Sequence, residues 1–436
     1  MIVEQLRHRD LVRLSSTCKS CRAHFAPLVF HTIRFGNDEM TSDSALLATK
    51  TYGDHVRRLE FQYVADPEDV NDDEVPPLLE SHALLPASRE LLEGCATPKA
   101  DVLSLSSRFN FLREGRHNDS DDLSDLLRDT EHPIETMNAE QRYRWRAVLN
   151  EAYRATAKNF KVRKLELLNM MAFAVSAFYT RRFGELLGRL TSATITFYSP
   201  GFFLADELDI PGYREFISRM PEVFFSRMHQ LTYLELTAPW GFPLDGREPD
   251  AIIFPLRPGS LPLLQSLKLN HSFTCTELVQ FIAAHAETLS SLTLVDCVSD
   301  YKDAAKQGYP KLSETWAFFF FQITTFRPPA LVNLSIEYED DAITEIYNEE
   351  DMLGSERQRI ERIEADKLKI SLVKDPEQKV FAYVGVDRLV SMIRNAFVNR
   401  AQATKLEDYY EYQRLMRLVK ENAHRIARER NQSGAV

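Results

Sequence analysis

Cys18 and Cys21 form a C-x-x-C, and His24 and His31 follow in the frame C-x2-C-x2-H-x6-H. Thiolates and imidazoles bind structural zinc, but zinc takes four ligands, commonly as two spaced pairs, and this spacing is not such a set. A C-x-x-C can also exchange thiols for a disulfide. That use wants a strand–turn–helix context, and the flanking residues here read as helix on both sides. Helix packing is therefore the expected role of these side chains. Elsewhere there is no P-loop, G-x-G-x-x-G, G-x-S-x-G or H-E-x-x-H. The 11 histidines are scattered, and His271 and His285 lie inside apolar repeats, where a hydrogen-bonded structural histidine is the ordinary reading. With 15 glycines the chain is also poor in material for phosphate-cradling loops. The expectation is a non-enzyme with no catalytic residue, no cofactor and no metal.

The 436 residues could form two or three domains, or one extended repeat domain with appendages. Apolar residues make up 44% and charged residues 27%, an ordinary globular balance. Apolar runs such as WAFFFF (316–321) fall far below the roughly 18 residues of a membrane span. Polar residues begin at Glu4, which argues against a signal peptide. Five cysteines do not suggest a disulfide framework, so a reducing compartment, cytoplasm and/or nucleus, is expected. A net charge of −11 argues against a nucleic-acid partner, and no membrane partner is expected.

Two short helical patterns open the chain in DLVRLSSTCKSCRAHFAPLVFHTIRF (10–35). Asp10 can cap the first helix, on which Leu11, Leu14 and Cys18 fall at i, i+3 and i+7. A second helix is expected from near Ser20, with Phe25, Leu28 and Val29 inward and Pro27 bending it. Ile33 and Phe35 close the segment in extended form. So small a unit cannot bury both faces, so part of its apolar surface should meet a partner or the next domain.

From residue 56 one pattern returns: VRRLEF (56–61), VRKLEL (162–167), LTYLEL (231–236), LQSLKL (264–269), LSSLTL (289–294) and LVNLSI (331–336), with a weaker LTSATITF (190–197). Each is an L-x-x-L-x-L, which predicts a short strand with two apolar side chains on one face. Helical patterns precede several copies: RYRWRAVLNEAYRATAKN (142–159), LVQFIAAHAETL (278–289) and WAFFFFQITTF (316–326). Asn138 with Gln141, and Thr274 with Glu277, have capping-box spacing. From Leu165 to Leu334 the steps between copies are 28, 41, 33, 25 and 42 residues, against about 20–29 in regular leucine-rich repeats. Cys297 reads as a buried residue of its repeat.

DPEDVNDDEVPP (66–77) and NDSDDLSDLLRDTEHP (118–133) are acidic and poor in residues that could build a core, so a mobile insertion is expected there. Beyond 340 the charged SERQRIERIEADKLKI (355–370) predicts a helix with Ile360 and Ile363 inward. KVFAYVGV (379–386) predicts a strand and DRLVSMIRNAF (387–397) a helix. The tail predicts a helix with Leu415, Leu418, Val419 and Ile426 on one face.

The N-terminal segment resembles the second and third helices of an F-box: Asp10, Leu11, Leu14, Ser15, Cys18, Lys19, Arg22, Pro27, Leu28 and Ile33 match, while Thr17 and Phe30 depart. The family's opening helix is represented only by MIVEQL, so the F-box looks truncated. RYRWRAVLNE and LPLLQSLKLN resemble the tails of filamentous-fungal F-box proteins. The resemblance implies docking to the Skp adaptor, and through it to cullin, by Ile2, Leu6, Leu11, Leu14, Cys18, Lys19 and Arg22. The chain would then be the substrate-recognition subunit of a Skp–cullin–F-box ubiquitin ligase. An unidentified protein substrate would lie against positions beside the strand leucines, such as Arg57, Arg163, Tyr233, Gln265 and Ser290. The alternative is a non-catalytic leucine-rich-repeat scaffold outside the ubiquitin system. The expected fold is mixed α/β: a short helical F-box, then an irregular leucine-rich-repeat-like solenoid with a helical C-terminal cap. Its parts are an F-box with incomplete first helix (1–36), a linker and first repeat strand (37–64), an acidic, largely mobile insertion (65–135), the repeat domain (136–340) and a C-terminal helical region (341–436).

Overall fold

The computed structural model describes residues 6–65, 83–109, 133–198, 212–239, 244, 254–300, 315–338, 356–375, 377–386, 392–394 and 396–433. They fall into two compact units, one of Met1–Tyr198 with Ile210–Leu231 and the other of Ser199–Asp209 with Thr232–Val436.

In the first unit, α1 (His8–Thr17) and α2 (Lys19–Val29) lead into β1 (Thr32–Gly36), followed by α3 (Glu39–Tyr52), β2 (Arg58–Ala65), α4 (Pro86–Leu92) and β3 (Val102–Phe109). Then come α5 (Pro133–Arg142), α6 (Arg144–Lys158), β4 (Lys164–Met170), α7 (Arg181–Arg189), β5 (Ser192–Phe197) and α8 (Tyr213–Val223). The strands are parallel and lie in the order β1-β2-β3-β4-β5. Leu59, Leu103, Leu165 and Ala193 stand in one register row, and Phe61, Leu105, Leu167 and Ile195 in the next. All eight are buried. Behind them Phe178 makes ring contacts with Tyr153, Phe183, Phe216 and Phe224.

The second unit holds β6 (Tyr233–Thr237), β7 (Ser266–Asn270), α9 (Thr276–Ala284), β8 (Ser291–Val295), β9 (Ser299–Asp300), α10 (Trp316–Phe326) and β10 (Asn333–Glu337). It continues with α11 (Glu356–Lys374), β11 (Tyr383–Val386), β12 (Met392–Arg394), α12 (Ala396–Lys405) and α13 (Glu407–Ser433). Here β6-β7-β8-β10 are parallel neighbours. Leu234, Leu267, Leu292 and Leu334 align, and Leu236, Leu269, Leu294 and Ile336 form the second row. A separate small sheet runs β12-β11-β9. Trp316, Phe320, Phe381 and Tyr412 form an aromatic cluster joining α10 to α13. At about 1.5–3 kcal/mol of gross burial per large apolar side chain, these rows outweigh any exposed ion pair, worth about 0–1 kcal/mol.

The architecture corrects the expected fold. Among the described residues, nine parallel strands (β1 to β8, and β10) have helices between most successive pairs, in an α/β arrangement. This replaces the expected helical F-box followed by an irregular leucine-rich-repeat-like solenoid with a helical cap. The N-terminal segment is not a free-standing helical unit, because its Thr32–Gly36 pairs along the whole of β1 with Arg58–Gln62. β3 carries no L-x-x-L-x-L, yet it pairs with all of β2 and lies inside the segment expected to be a mobile insertion. Its alternation Val102, Leu103, Ser104, Leu105, Ser106 offers the two leucines to the buried face. Of that insertion, 83–109 is built into the unit; the acidic runs 66–77 and 118–132 lie outside the described residues.

Several local readings change too. α1 begins at His8 with no side-chain cap, so Asp10 sits in its first turn instead of capping it. Asn138 and Gln141 lie inside α5, and the residue before α9 is Cys275. Met392–Arg394, expected to be helical, is a strand antiparallel to β11. Ile363 is exposed on α11, while Leu368 is buried. The tail helix packs as expected through Leu415, Leu418 and Val419, with Asn422 donating to the Pro328 and Leu331 carbonyls.

Candidate interaction surfaces

The stripe expected from Leu11, Leu14 and Cys18 does not form one face: the two leucines differ in burial on α1, and Cys18 lies at the helix break. Leu11 is 8% exposed and belongs to the core with Ser15, whereas Leu14 is 38%, Val12 41% and Leu28 47% exposed. Cys18 leaves α1 in extended geometry and caps α2, its sulfur accepting the Cys21 N–H at 3.3 Å. Lys19 and Arg22 are exposed on the first turn of α2. Leu6 and Leu11 line a cleft of about 600 Å³ together with His8, Leu28, His31 and Arg34. Ile2 lies outside the described residues. The two helices thus present apolar side chains that their own unit does not cover.

The strands present a second surface. Because side chains alternate along a strand, the residues between the buried leucines form an opposite, polar face. In the first unit Arg34, Glu60, Ser104, Glu166 and Thr194 share one register row. Glu60 accepts hydrogen bonds from Arg34 and, at 2.6 Å, from Arg58. The Arg58 guanidinium reaches past Ser104 to both oxygens of Glu166. Burial pushes the Glu60 carboxyl up, but the bonds from Arg34 and Arg58 outweigh it and hold the group below its ordinary value. The Glu166 hydrogen bond raises Arg58.

In the second unit Glu235 occupies the corresponding place. It pairs with Lys268 at 2.8 Å and accepts from the Asn270 amide and the Tyr233 hydroxyl. Burial again pushes it up, and the Lys268 and Asn270 bonds prevail, leaving it lowered. Arg34, Arg58, Glu60 and Glu166 in the first unit, and Glu235 and Lys268 in the second, pair with one another, so they offer hydrogen-bonding groups in fixed positions more than net charge.

Of the residues expected to face a substrate, only Tyr233 stands on this polar face. Arg57, Arg163, Gln265 and Ser290 sit one position before their strands, and their carbonyls form the first rung of the ladder. The Gln265 carbonyl accepts from Ser290 and Ser291, and that of Ser290 accepts from Val332 and Asn333. The Arg163 carbonyl accepts from Thr191 and Ser192, and that of Arg57 from Val102. The face residues that were missed are Arg58, Glu60, Glu166, Glu235 and Lys268. A signal existed: VRRLEF, VRKLEL, LTYLEL and LQSLKL each place a charge between the last two apolar residues.

The histidines singled out by sequence have structural partners. Both ring nitrogens of buried His285 lie against backbone carbonyls, of Phe281 at 2.8 Å and Ser260 at 2.7 Å. His271 Nδ1 is 3.0 Å from the Ala238 carbonyl. Among the described residues no group of three or more His, Cys, Asp or Glu is arranged to hold a metal, and no helix is long and apolar enough to cross a membrane. No family model and no curated protein matches this sequence. Among solved structures, one described as "Structure of L-ribulose 3-epimerase" is similar at 12% identity over 80% of this chain and 99% of that one, with a TM-score of 0.20. A likeness that loose carries no argument about fold or activity.

Proposed function

We propose that this chain is a non-catalytic recognition subunit that docks the Skp adaptor of a Skp–cullin–F-box ubiquitin ligase through α1 and α2. Its polar strand faces hold the protein to be modified. The observation that carries the reading is the set of uncovered apolar side chains Val12, Leu14 and Leu28 on two helices whose wording resembles an F-box. Exposed apolar groups on two short helices favour a protein partner over solvent. The polar faces support target holding because their hydrogen-bonding groups are fixed by neighbours across strands. Cytoplasm and/or nucleus, where such ligases work, is the proposed place of action.

Leu14→Asp is the direct test. A carboxylate at a desolvated apolar contact costs several kcal/mol, on the order of the penalty for burying an unpaired charge. Leu14 is 38% exposed in the free chain, so the variant should fold. Adaptor recovered with the purified variant should fall at least tenfold against wild type at equal circular dichroism. Equal recovery would overturn the proposal.

A further inference from the structure

The function proposed above uses neither thiol of the C-x-x-C as a reactive group, and although a helix and not a strand precedes the motif, the structure sets it at a helix N-terminus. α1 stops at Thr17, the backbone turns through extended Cys18, and α2 starts at Lys19. Cys18 is thereby the N-cap and Cys21 the third residue of the helix, two positions that face each other across one turn. The Cys18 sulfur accepts the Cys21 N–H at 3.3 Å, taking the place that a serine or threonine oxygen commonly fills. Both thiols are free and reachable, Cys18 exposed and Cys21 half-buried. No third His, Cys, Asp or Glu among the described residues joins them as a metal ligand set.

We propose that Cys18 and Cys21 are a redox-active dithiol that closes to an intramolecular disulfide by exchange with a low-molecular-weight disulfide. Cys18 is the attacking thiol. The Cys21 N–H and then the Cys21 thiol stabilise negative charge on its sulfur, and both lower its pKa from the ordinary thiol value. In the first step the Cys18 thiolate bonds to one sulfur of glutathione disulfide, whose S–S bond breaks and releases one glutathione thiolate. In the second step the Cys21 sulfur, losing its proton to solvent, attacks the Cys18 sulfur of the mixed disulfide and expels the second glutathione. The two cysteines lose two electrons and glutathione disulfide gains them. The departing thiolates take up protons from solvent. Cys21 lies one helical turn away, so this second attack is intramolecular and removes the mixed disulfide before it accumulates.

The purified full chain tests this without any partner, so its outcome is independent of adaptor docking. Trypsin cuts after Arg13, Lys19 and Arg22, and a Cys18–Cys21 bridge therefore joins Leu14–Lys19 to Ser20–Arg22 as a reducible pair of peptides. After incubation with glutathione disulfide and quenching with iodoacetamide, mass spectrometry should find that pair. Cys95, which is also exposed, should carry glutathione or remain alkylated. Cys18 should be consumed about tenfold faster than Cys95. Cys21→Ser should stop the reaction at glutathionylated Cys18. Cys18→Ser keeps an oxygen cap on α2 and should abolish the fast phase. The proposal is overturned if Cys18 reacts no faster than Cys95, or if wild type accumulates the mixed disulfide to the same extent as Cys21→Ser.

Discussion

At the residue scale, the buried carboxyl of Asp408 has the largest consequence. Its Oδ1 accepts the Ala317 N–H at 2.8 Å and its Oδ2 accepts the Tyr383 hydroxyl at 2.8 Å. It therefore holds the start of α10 from α13, and the Tyr383 hydroxyl in turn accepts the Trp316 N–H at 3.0 Å. Burial raises its pKa to about 6, against the two hydrogen bonds that lower it. A carboxyl raised in the folded state binds more protons there than when unfolded, so stability falls as pH rises from about 4 to about 6 and then levels. The difference of two pKa units corresponds to about 3 kcal/mol. Asp408→Asn keeps an oxygen acceptor and removes the titration. The thermal midpoint of wild type minus that of Asp408→Asn should therefore decline between pH 4 and pH 7; a flat difference would refute the assignment. None of this was legible in LEDYYEYQ, where Asp408 reads as an acidic residue of a helix's first turn. Its burial is imposed by Trp316 and Tyr383, far away in sequence. Cys18 is the opposite case, since its spacing to Cys21 and a second helix from near Ser20 were plain, while its own place as the cap of that helix was not.

At the element scale, the strands were the most legible feature. Every L-x-x-L-x-L copy is a strand, because alternation with two buried apolar residues per strand is a local property that the sheet merely aligns. β3 escaped because the acidic runs on either side dominated the reading of its segment. The face opposite the leucines was half legible: the recurring charges were present, but which of them meet depends on register. Arg58 shows the cost of that register. It is 27% exposed and binds Glu60 and Glu166, themselves 15% and 24% exposed. Arg58→Met leaves two partly buried carboxylates in one register row on either side of Ser104, with Arg34 pairing Glu60 and no arginine on Glu166 in its place. Breaking such a pair should cost about 1–3 kcal/mol, between the value of an exposed pair and that of a fully buried one. Urea unfolding should show this as an earlier midpoint. Adding Glu166→Gln to Arg58→Met should recover part of the loss, whereas additive losses would mean that Arg58 and Glu166 do not interact.

At the scale of the whole molecule, what the sequence concealed is how its ends are incorporated. The N-terminal helices run straight into β1, whose pairing with β2 makes them part of the first unit. In the second unit, the C-terminal helix is tied by Asp408 and Asn422 to α10 and to the segment that follows it. Alternating Ile33 and Phe35 mark the strand, and Leu415, Leu418 and Val419 the buried face of the tail helix, but neither pattern names what it meets. The proposed function makes a further demand on the entire chain, namely that binding at α1 and α2 bring distant lysines to a charged conjugating enzyme. Tethering replaces a bimolecular encounter by an effective concentration on the order of millimolar, about a thousandfold above micromolar reactants. Exposed lysines such as Lys50 and Lys99 would then be modified in cis. A ligase reconstituted from adaptor, cullin, RING subunit and conjugating enzyme should accordingly attach ubiquitin to this chain itself. Leu14→Asp should reduce the conjugates to the level seen without adaptor, while Asp408→Asn, far from α1 and α2 in sequence, should leave them unchanged at neutral pH. Conjugation that persists in Leu14→Asp, or never forms with wild type, would separate this chain from the ubiquitin system.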